Sequence, residues 1–407
     1  NGAINASGEI IAASLDISGN IDVDGTTNLD VVDIDGAVDM ASTLAVGGVV
    51  KTERGSAGAP PYTFKDDLDT GMFNISNANL GFSVSGTEHF RIAADGSLST
   101  PTLGTSNVRF GVNAGNSIAS GGNYNVVVGD EAGTAITTGD FNTALGYKAL
   151  EATNTANSST GVGAFALDAN TTGSNNVGVG HGALTANTTA ADNVAVGYIA
   201  MENNTTGASN TAVGTEALEA NTTANNNTAV GYRSLEANTT GSQNVAVGDN
   251  ALNANTTADY NTAVGTSALL RNTTGTQNVA IGAFTLDTNT TGGGNVALGY
   301  QALRVNTTAS NNTGIGHRAL LANTTGAENT AVGAEAGDAI TTGAENVALG
   351  YGALSATTTA SFNTAVGKSS LGSNTTGANN TAVGKSALSA NTTGYSNVSV
   401  GVNAAGA

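Results

Sequence analysis

A tandem repeat with an unbroken period of 17 residues constrains this sequence more than any other feature. Ser159 occupies one position of the series, and no insertion or deletion interrupts the 17 copies. An earlier, degenerate copy begins at Asn107, one residue out of step. A short tandem unit of this kind indicates a solenoid, in which each copy contacts only its neighbours. The other copies begin with an Asn, at Asn125, Asn142, Asn176, Asn193, Asn210, Asn227, Asn244, Asn261, Asn278, Asn295, Asn312, Asn329, Asn346, Asn363, Asn380 and Asn397.

A representative copy runs from Asn244 to Tyr260. Its Val-Ala-Val segment lies between Asn and Gly, which predicts a short strand bounded by turns. An Ala-Leu segment follows, with the Leu at Leu252 in this copy and at Leu150, Leu184, Leu218, Leu303 and Leu388 in other copies, and then a polar Asn-Thr-Thr turn. We therefore expect two short strand-like pieces and two turns in each copy, which together make one coil of a β-solenoid.

The apolar residues at all three strand positions predict burial on both faces, because strand side chains alternate between faces. One face can line the narrow core of the coil, and the other needs a partner. A homotrimer about the fibre axis would supply that partner and protect exposed edges. The alternative is a single-chain solenoid whose Val side chains all point inward.

Two glycine positions differ in what they predict. The Gly after the strand recurs in every copy, which indicates a positive φ or a close neighbouring backbone. The Gly that closes the Asn-Thr-Thr turn alternates with Ala, as at Gly207 and Ala224, so this position is not expected to require Gly. The copies at Asn125 and Asn329 share a variant that lacks the Leu.

Composition narrows the function classes. The formal net charge is −19, from 31 acidic and 12 basic residues, which disfavours nucleic acid and anionic membrane surfaces as partners. Aromatic residues make up 4% of the chain, which suits a thin repeating core better than a thick one. Cysteine is absent, and no apolar run approaches the ~20 residues that span a bilayer. The chain begins at Asn1, which predicts a processed product or a piece of a longer chain.

The repeat resembles a known family. The pattern Asn-x-Ala-x-Gly-Tyr-x-Ala-Leu, at Asn142 to Leu150 and Asn295 to Leu303, resembles the head repeats of trimeric autotransporter adhesins. The resemblance covers roughly residues 107 to 401 and implies a trimeric β-roll. The unit here is longer than the family's unit by the added Asn-Thr-Thr turn.

The first 105 residues predict two further segments. Residues 1–58 alternate apolar and polar positions between glycines, which predicts a shaft of short β-strands. Residues 59–105 predict a small β module that contains Tyr62-Thr-Phe64, Asn79-Leu-Gly-Phe-Ser83 and Glu88-His-Phe-Arg-Ile92. These strings resemble a module that recurs in bacteriophage tail-fibre proteins. Residues 106–407 form the predicted solenoid.

The sequence thus predicts an all-β, fibrous, trimeric β-solenoid of 17-residue coils, preceded by a short-strand β shaft. The resemblance implies a structural and adhesive phage tail-fibre segment, an extracellular rod that acts as a spacer and recognises host-surface glycan. A bacterial surface adhesin and a secreted extracellular fibril are the alternatives. The expected partners are copies of the chain itself and a host cell-surface glycan, with no nucleic acid and no membrane insertion.

No enzyme is expected. The three histidines, His89, His181 and His317, form no recognisable catalytic arrangement, and the last two occupy a variable repeat position that is expected to be exposed. The Asp22-Val-Asp-Gly25 and Asp33-Ile-Asp-Gly36 segments lack the ligands of a calcium loop and are expected to be acidic turns. We therefore predict no catalytic residue, no metal site and no cofactor.

Two sets of candidate contact residues remain. Candidate surface-contact residues share the exposed position after the recurrent Gly: Tyr147, Tyr198, Tyr232, Tyr300 and Tyr351. Candidate glycan-bearing residues satisfy the Asn-x-Thr acceptor pattern: Asn170, Asn187, Asn204, Asn221, Asn238, Asn255, Asn272, Asn289, Asn306, Asn323, Asn374 and Asn391. The alternative is that Asn and Thr serve the turn itself through side-chain hydrogen bonds. In either case the polar triplet predicts a column that faces solvent.

Overall fold

The structure is a computed structural model that describes residues 54–64, 66–76, 79–92, 94, 98–100 and 104–406. The predicted shaft, apart from residues 54–58, and the Asp-Gly segments at Asp22 and Asp33 lie outside the described residues. Within the described part, every regular element is a β-strand.

A small antiparallel sheet precedes the repeats. Its five strands are β1 Tyr62–Phe64, β2 Asp67–Ser76, β3 Asn79–Val84, β4 Thr87–Ile92 and β5 Leu98–Ser99, and they pair in sequence order. Phe73 is buried, and the rings of Phe82 and Phe90 lie 5.7 Å apart on β3 and β4.

The repeats form a parallel β-solenoid with one strand in each coil. Each strand pairs in parallel with the next strand along the chain, as Val245, Ala246 and Val247 pair with Thr262, Ala263 and Val264. The strands are β6 Val108–Phe110, β7 Val126–Val128, β8 Thr143–Leu145, β9 Thr160–Val162, β10 Val177–Val179, β11 Val194–Val196, β12 Thr211–Val213, β13 Thr228–Val230, β14 Val245–Val247, β15 Thr262–Val264, β16 Val279–Ile281, β17 Val296–Leu298, β18 Thr313–Ile315, β19 Thr330–Val332, β20 Val347–Leu349, β21 Thr364–Val366, β22 Thr381–Val383 and β23 Val398–Val400.

We number coil positions from 1 to 17, starting at the Asn before the strand, so that Asn244 is position 1 and Tyr260 is position 17. The core is thin and uniform. Ala246 at position 3 and Leu252 at position 9 are both fully buried, and the equivalent residues of the other coils form one continuous cluster. The small Ala lets the opposite Leu fill the narrow interior. Since identical side chains stack on one another, a one-residue insertion would misalign the strand faces.

The predicted second strand-like piece is wrong. The Ala-Leu segment forms turns, and Leu252 has a left-handed backbone with φ of +53°. Its N–H still donates to the carbonyl of Ala268 in the next coil, at 2.9 Å. Inter-coil hydrogen bonds therefore continue through this segment without extended strand geometry.

Two columns of buried asparagine hold the coils together. At position 1, the Oδ1 of Asn244 accepts from the backbone N–H of Asn261 at 2.9 Å, and the Nδ2 of Asn244 donates to the carbonyl of Ala258 at 2.8 Å. At position 12, the Nδ2 of Asn255 donates to the Oδ1 of Asn238 at 2.8 Å and also to the Ala258 carbonyl at 3.0 Å. Asn244 and Asn255 are thus satisfied by their own coil and by the neighbouring coils, as burial requires.

The Gly after the strand behaves as predicted. Gly248 has φ of +136°, and a Cβ at this position would lie 2.7 Å from the backbone carbon of Gly265 in the next coil. Both a positive φ and close backbone approach therefore require Gly.

Position 15 accepts Ala in six coils, as expected, but the coils that carry Gly leave little room for a methyl group. A Cβ on Gly241 would lie 2.3 Å from the carbonyl oxygen of Ala258 and 2.6 Å from the Oδ1 of Asn238. Across the 16 copies that extend to this position, no Ala is followed by a second Ala in the next coil. In the coils that carry Gly, a methyl group at this position would therefore crowd the backbone of the next coil.

Candidate binding surfaces

The outer face of the parallel sheet carries no charged side chain. In the 17 coils, position 2 is always Thr or Val, and position 4 is always Val, Leu or Ile. Within the single chain these side chains are partly exposed, as at Val245 (36%) and Leu298 (43%). The two columns run unbroken from β7 to β23 along a chain whose net charge is −19. The burial predicted for this face is therefore incomplete in one chain, because only the middle residue of each strand points inward.

An aromatic row lies beside this face, at positions 6 and 7. Successive coils bring together Tyr147, Phe165, His181 and Tyr198, with ring centroids 5.3, 5.7 and 5.6 Å apart. His181 and Tyr198 are stacked, whereas the contacts of Phe165 are edge-on. A single row thus spans four coils, with both tyrosines about half exposed.

The other three candidate tyrosines are also exposed and also have partners. Tyr300 lies 5.8 Å from His317 and 6.2 Å from Phe284 between ring centroids. The guanidinium of Arg233 lies 5.0 Å above the Tyr232 ring, and the Lys368 ammonium lies 5.6 Å from the Tyr351 ring. A hydrogen bond with the Glu335 carboxylate raises the pKa of Tyr351.

These contacts determine which parts of the aromatic row a ligand can reach. Because neighbouring groups cover ring faces, the ring edges and phenol oxygens are the parts most available to a ligand. Sequence reasoning found the tyrosines but missed Phe165 and Phe284, which lie at position 7, one residue later than the tyrosines. An aromatic residue in each of several consecutive coils was the signal that could have found them.

The expectation that the acceptor asparagines face solvent is wrong. Eleven of the twelve, from Asn170 to Asn374, are fully buried, and Asn391 in the last complete coil is partly buried. The Nδ2 atom, to which a glycan would attach, donates two hydrogen bonds, as in Asn255. The solvent-facing residue of the triplet is the second Thr, as at Thr257. The folded coil therefore has no room for a glycan on these asparagines.

Three carboxylates lie close together on the surface, at positions 7 and 10 of two neighbouring coils. Glu216, Glu219 and Glu236 each place an oxygen within 4.8 Å of the others. Arg233 pairs with Glu216 and lies 3.7 Å from Glu236. Burial and the neighbouring carboxylates raise the pKa of Glu219. The group is an ion-pair network with its own cation, which sequence reasoning did not find because its members lie in two different coils.

The histidines lie apart from one another. His181 is an exposed member of the aromatic row, His317 is exposed beside Tyr300, 136 residues further along the sequence, and His89 lies on β4.

Among the residues that the structure describes, no helix is long and apolar enough to cross a membrane. Comparisons with protein-family models, curated proteins and solved structures give no match. The class that the geometry defines is the parallel β-solenoid.

Proposed function

We propose that this chain forms the rod of an extracellular fibre, as a phage tail-fibre segment that spaces and attaches the fibre tip to a host surface. The observation that carries the proposal is the unbroken solenoid with an uncharged outer face. A structure in which most coils repeat the same hydrogen bonds gains length without gaining a central pocket. Such a structure suits a spacer, and the sequence resemblance to tail-fibre modules supports this particular fibre.

The rod is proposed to be a homotrimer packed through the outer β-face. Chains of charge −19 repel one another, and the columns at positions 2 and 4 are where copies can meet without bringing carboxylates together. With about 4.8 Å for each coil and about 10 Å for a three-residue strand, the face measures roughly 80 by 10 Å. That area is close to the ~800 Å² for each partner that a stable interface buries.

Adhesion is proposed to use the aromatic row. Tyr198 presents its phenol group beside the exposed imidazole of His181, and Tyr147 presents another at the far end of the row, beside Phe165. Tyrosine is enriched at interfaces that are apolar at one end and wet at the other. A host-surface glycan, which offers hydroxyl groups and apolar ring faces, fits this chemistry.

Light scattering on the purified chain tests the assembly. The wild type should have the mass of three chains, and electron microscopy should show rods on the order of 80 Å long for the repeat region. Val247→Lys on the outer face should weaken the trimer at least about tenfold, since three buried ammonium groups would meet. Thr257→Lys adds the same charge at an exposed turn and should leave the trimer intact. A monomeric wild type, or a trimer that tolerates Val247→Lys, would contradict the assembly.

Adhesion is tested on immobilised bacterial lipopolysaccharides. The double variant His181→Ala, Tyr198→Ala should lose binding, whereas Thr257→Ala should keep it. Binding that survives the double variant would remove the aromatic row from the proposal. Wild-type binding to none of the panel would favour a pure spacer or the alternative secreted fibril.

A further inference from the structure

A cavity of about 340 Å³ lies between β4 and the first coil of the solenoid. It is separate from the outer β-face and from the aromatic row. Its lining includes Thr87, Glu88 and His89 from β4, Thr100 after β5, and Arg109 from β6. Ligand pockets range from about 300 to 1,000 Å³, so this volume is enough for one small molecule.

Arg109 is unusual for its place in the coil. It occupies position 3, where the next two coils place the side chains of Val127 and Ala144 in the core and the third has Gly161. Its Nε donates to the carbonyl of Ala114 at 2.5 Å, and burial lowers the pKa of Arg109. Across the described ranges, it takes part in no ion pair with a carboxylate. A partly desolvated guanidinium requires an anion or further acceptors.

The other polar groups of the cavity differ in whether they already have hydrogen-bond partners within the chain. Both oxygens of Glu88 accept from Arg91, at 2.6 and 2.7 Å, so this carboxylate is neutralised. The Oγ1 of Thr100 is buried and has no hydrogen-bond partner. The Nδ1 of His89 donates to the Thr87 carbonyl at 2.9 Å, which leaves Nε2 free to accept a hydrogen bond.

We propose that this cavity binds one acidic sugar, a monosaccharide that carries a carboxylate, such as a uronic acid. The terminal nitrogens of Arg109 donate to the carboxylate, which matches the planar fork of a guanidinium. Thr100 Oγ1 and His89 Nε2 bond sugar hydroxyl groups. The lining thus joins one cationic donor to two groups that suit hydroxyls, and the volume admits one ring. This site goes beyond the fibre proposal, since it would operate in a single chain.

The experiment titrates the purified full chain with glucuronate by calorimetry, with glucose and inorganic phosphate as comparison probes. The wild type should bind glucuronate saturably and bind glucose and phosphate at least about tenfold more weakly. Arg109→Gln should abolish binding. Thr100→Val, which keeps the side-chain shape, should weaken it about fivefold through the loss of one hydrogen bond.

Controls separate binding from folding. Arg271→Gln removes an exposed arginine of the solenoid and should leave glucuronate binding unchanged. Arg109→Lys keeps the charge without the fork and should bind at least several-fold more weakly, so the proposal stays testable if Arg109→Gln does not fold. Phosphate binding equal to glucuronate would overturn the acidic-sugar assignment. Absence of wild-type binding, which is the result if a carboxylate of the chain itself occupies Arg109, would overturn the site. Neither result bears on the mass of the fibre, so the trimer proposal is tested separately.

Discussion

The side chain of Ile136 fills the space beside Gly133 that a leucine fills in most other coils. A Cβ on Gly133 would lie 2.8 Å from the Cδ1 of Ile136, and Ile136 is fully buried. Gly337 and Ile340 repeat the arrangement, with a corresponding distance of 3.0 Å. The variant coils therefore exchange Leu at position 9 and Asn at position 12 for Gly and Ile. The volume that fills the core is conserved, but it comes from a side chain three residues later in the coil.

This relationship predicts that the exchange can be transplanted. Leu252→Gly alone should cost about 3–5 kcal/mol of unfolding free energy through the cavity it leaves. Asn255→Ile alone should also destabilise, because it forces extra volume into the core and leaves Asn272 without its acceptor. The double variant should be more stable than the sum of the two losses predicts, by at least about 1 kcal/mol.

Urea denaturation of the four chains measures that coupling. Some loss should remain in the double variant, since the native exchange also interrupts the asparagine column. Asn323 shows this, because its Oδ1 lacks a partner where Ile340 follows in the next coil. As a control, Leu184→Gly combined with Asn255→Ile places the two changes in different coils. Coupling equal to that of the control pair would contradict the compensation.

The sequence predicted the features that one repeat unit determines by itself. The strand over Val245 to Val247, the buried Leu252 and the required Gly248 follow from hydrophobic pattern and backbone sterics within a single copy. The second strand was wrong because the left-handed φ of Leu252 is set by hydrogen bonds to the next coil, and no residue pattern of one copy encodes it.

The alternation at position 15 gives a second prediction. Gly241→Ala should cost about 1–3 kcal/mol, because its Cβ meets the backbone oxygen of Ala258, which cannot move without shifting a coil. The adjacent Ala258→Gly removes one buried methyl group and should cost about 1 kcal/mol. Thermal unfolding of both variants checks the order. A Gly241→Ala chain as stable as the wild type would show that the turn backbone adapts and that the crowding at this position costs no stability.

A buried carboxyl at position 10 gives a prediction for pH. Burial and the neighbouring Glu335 raise the pKa of Asp338, and its Oδ1 is buried without a hydrogen-bond partner. A folded pKa above the unfolded value means that the ionised form costs stability at neutral pH. This cost shrinks as the pH falls below the folded pKa and disappears below the unfolded pKa. Asp338→Asn should therefore unfold at a higher temperature than the wild type at pH 7.

The stability difference should shrink to near zero below about pH 4, where the wild-type carboxyl is protonated in both states. Melting curves at pH 7, 5 and 3.5 measure it. Glu345→Gln removes an exposed carboxyl and should change the melting temperature little at any of these values. A stability gain from Asp338→Asn that does not depend on pH would assign the effect to hydrogen bonding instead of charge.

The candidate sites were harder to predict than the fold, for a physical reason. A polar Asn in a polar triplet is ordinarily exposed, since an unpaired buried amide is costly. In this chain the Asn above and below Asn255 supply its partners, so burial is favourable only within the stack. The aromatic row has the same origin, since Phe165 meets His181 through coil stacking and not through sequence proximity.

The buried asparagine column gives the last prediction. If the chain is secreted from a eukaryotic host that glycosylates Asn-x-Thr, the folded fraction should carry an unmodified Asn at Asn187, Asn221 and Asn255. A glycan on Nδ2 would replace a hydrogen-bond donor and place a branched sugar inside a core that is packed without space for it. Peptide mass spectrometry of the protease-resistant rods measures the occupancy. Thr257→Ala, which removes the acceptor pattern at Asn255 from an exposed position, should therefore leave the mass of that peptide otherwise unchanged and the yield of rods the same or higher. A rod fraction with full glycan occupancy at Asn255 would show that the asparagine column faces outward. It would contradict the assignment of this column to the interior of the coil.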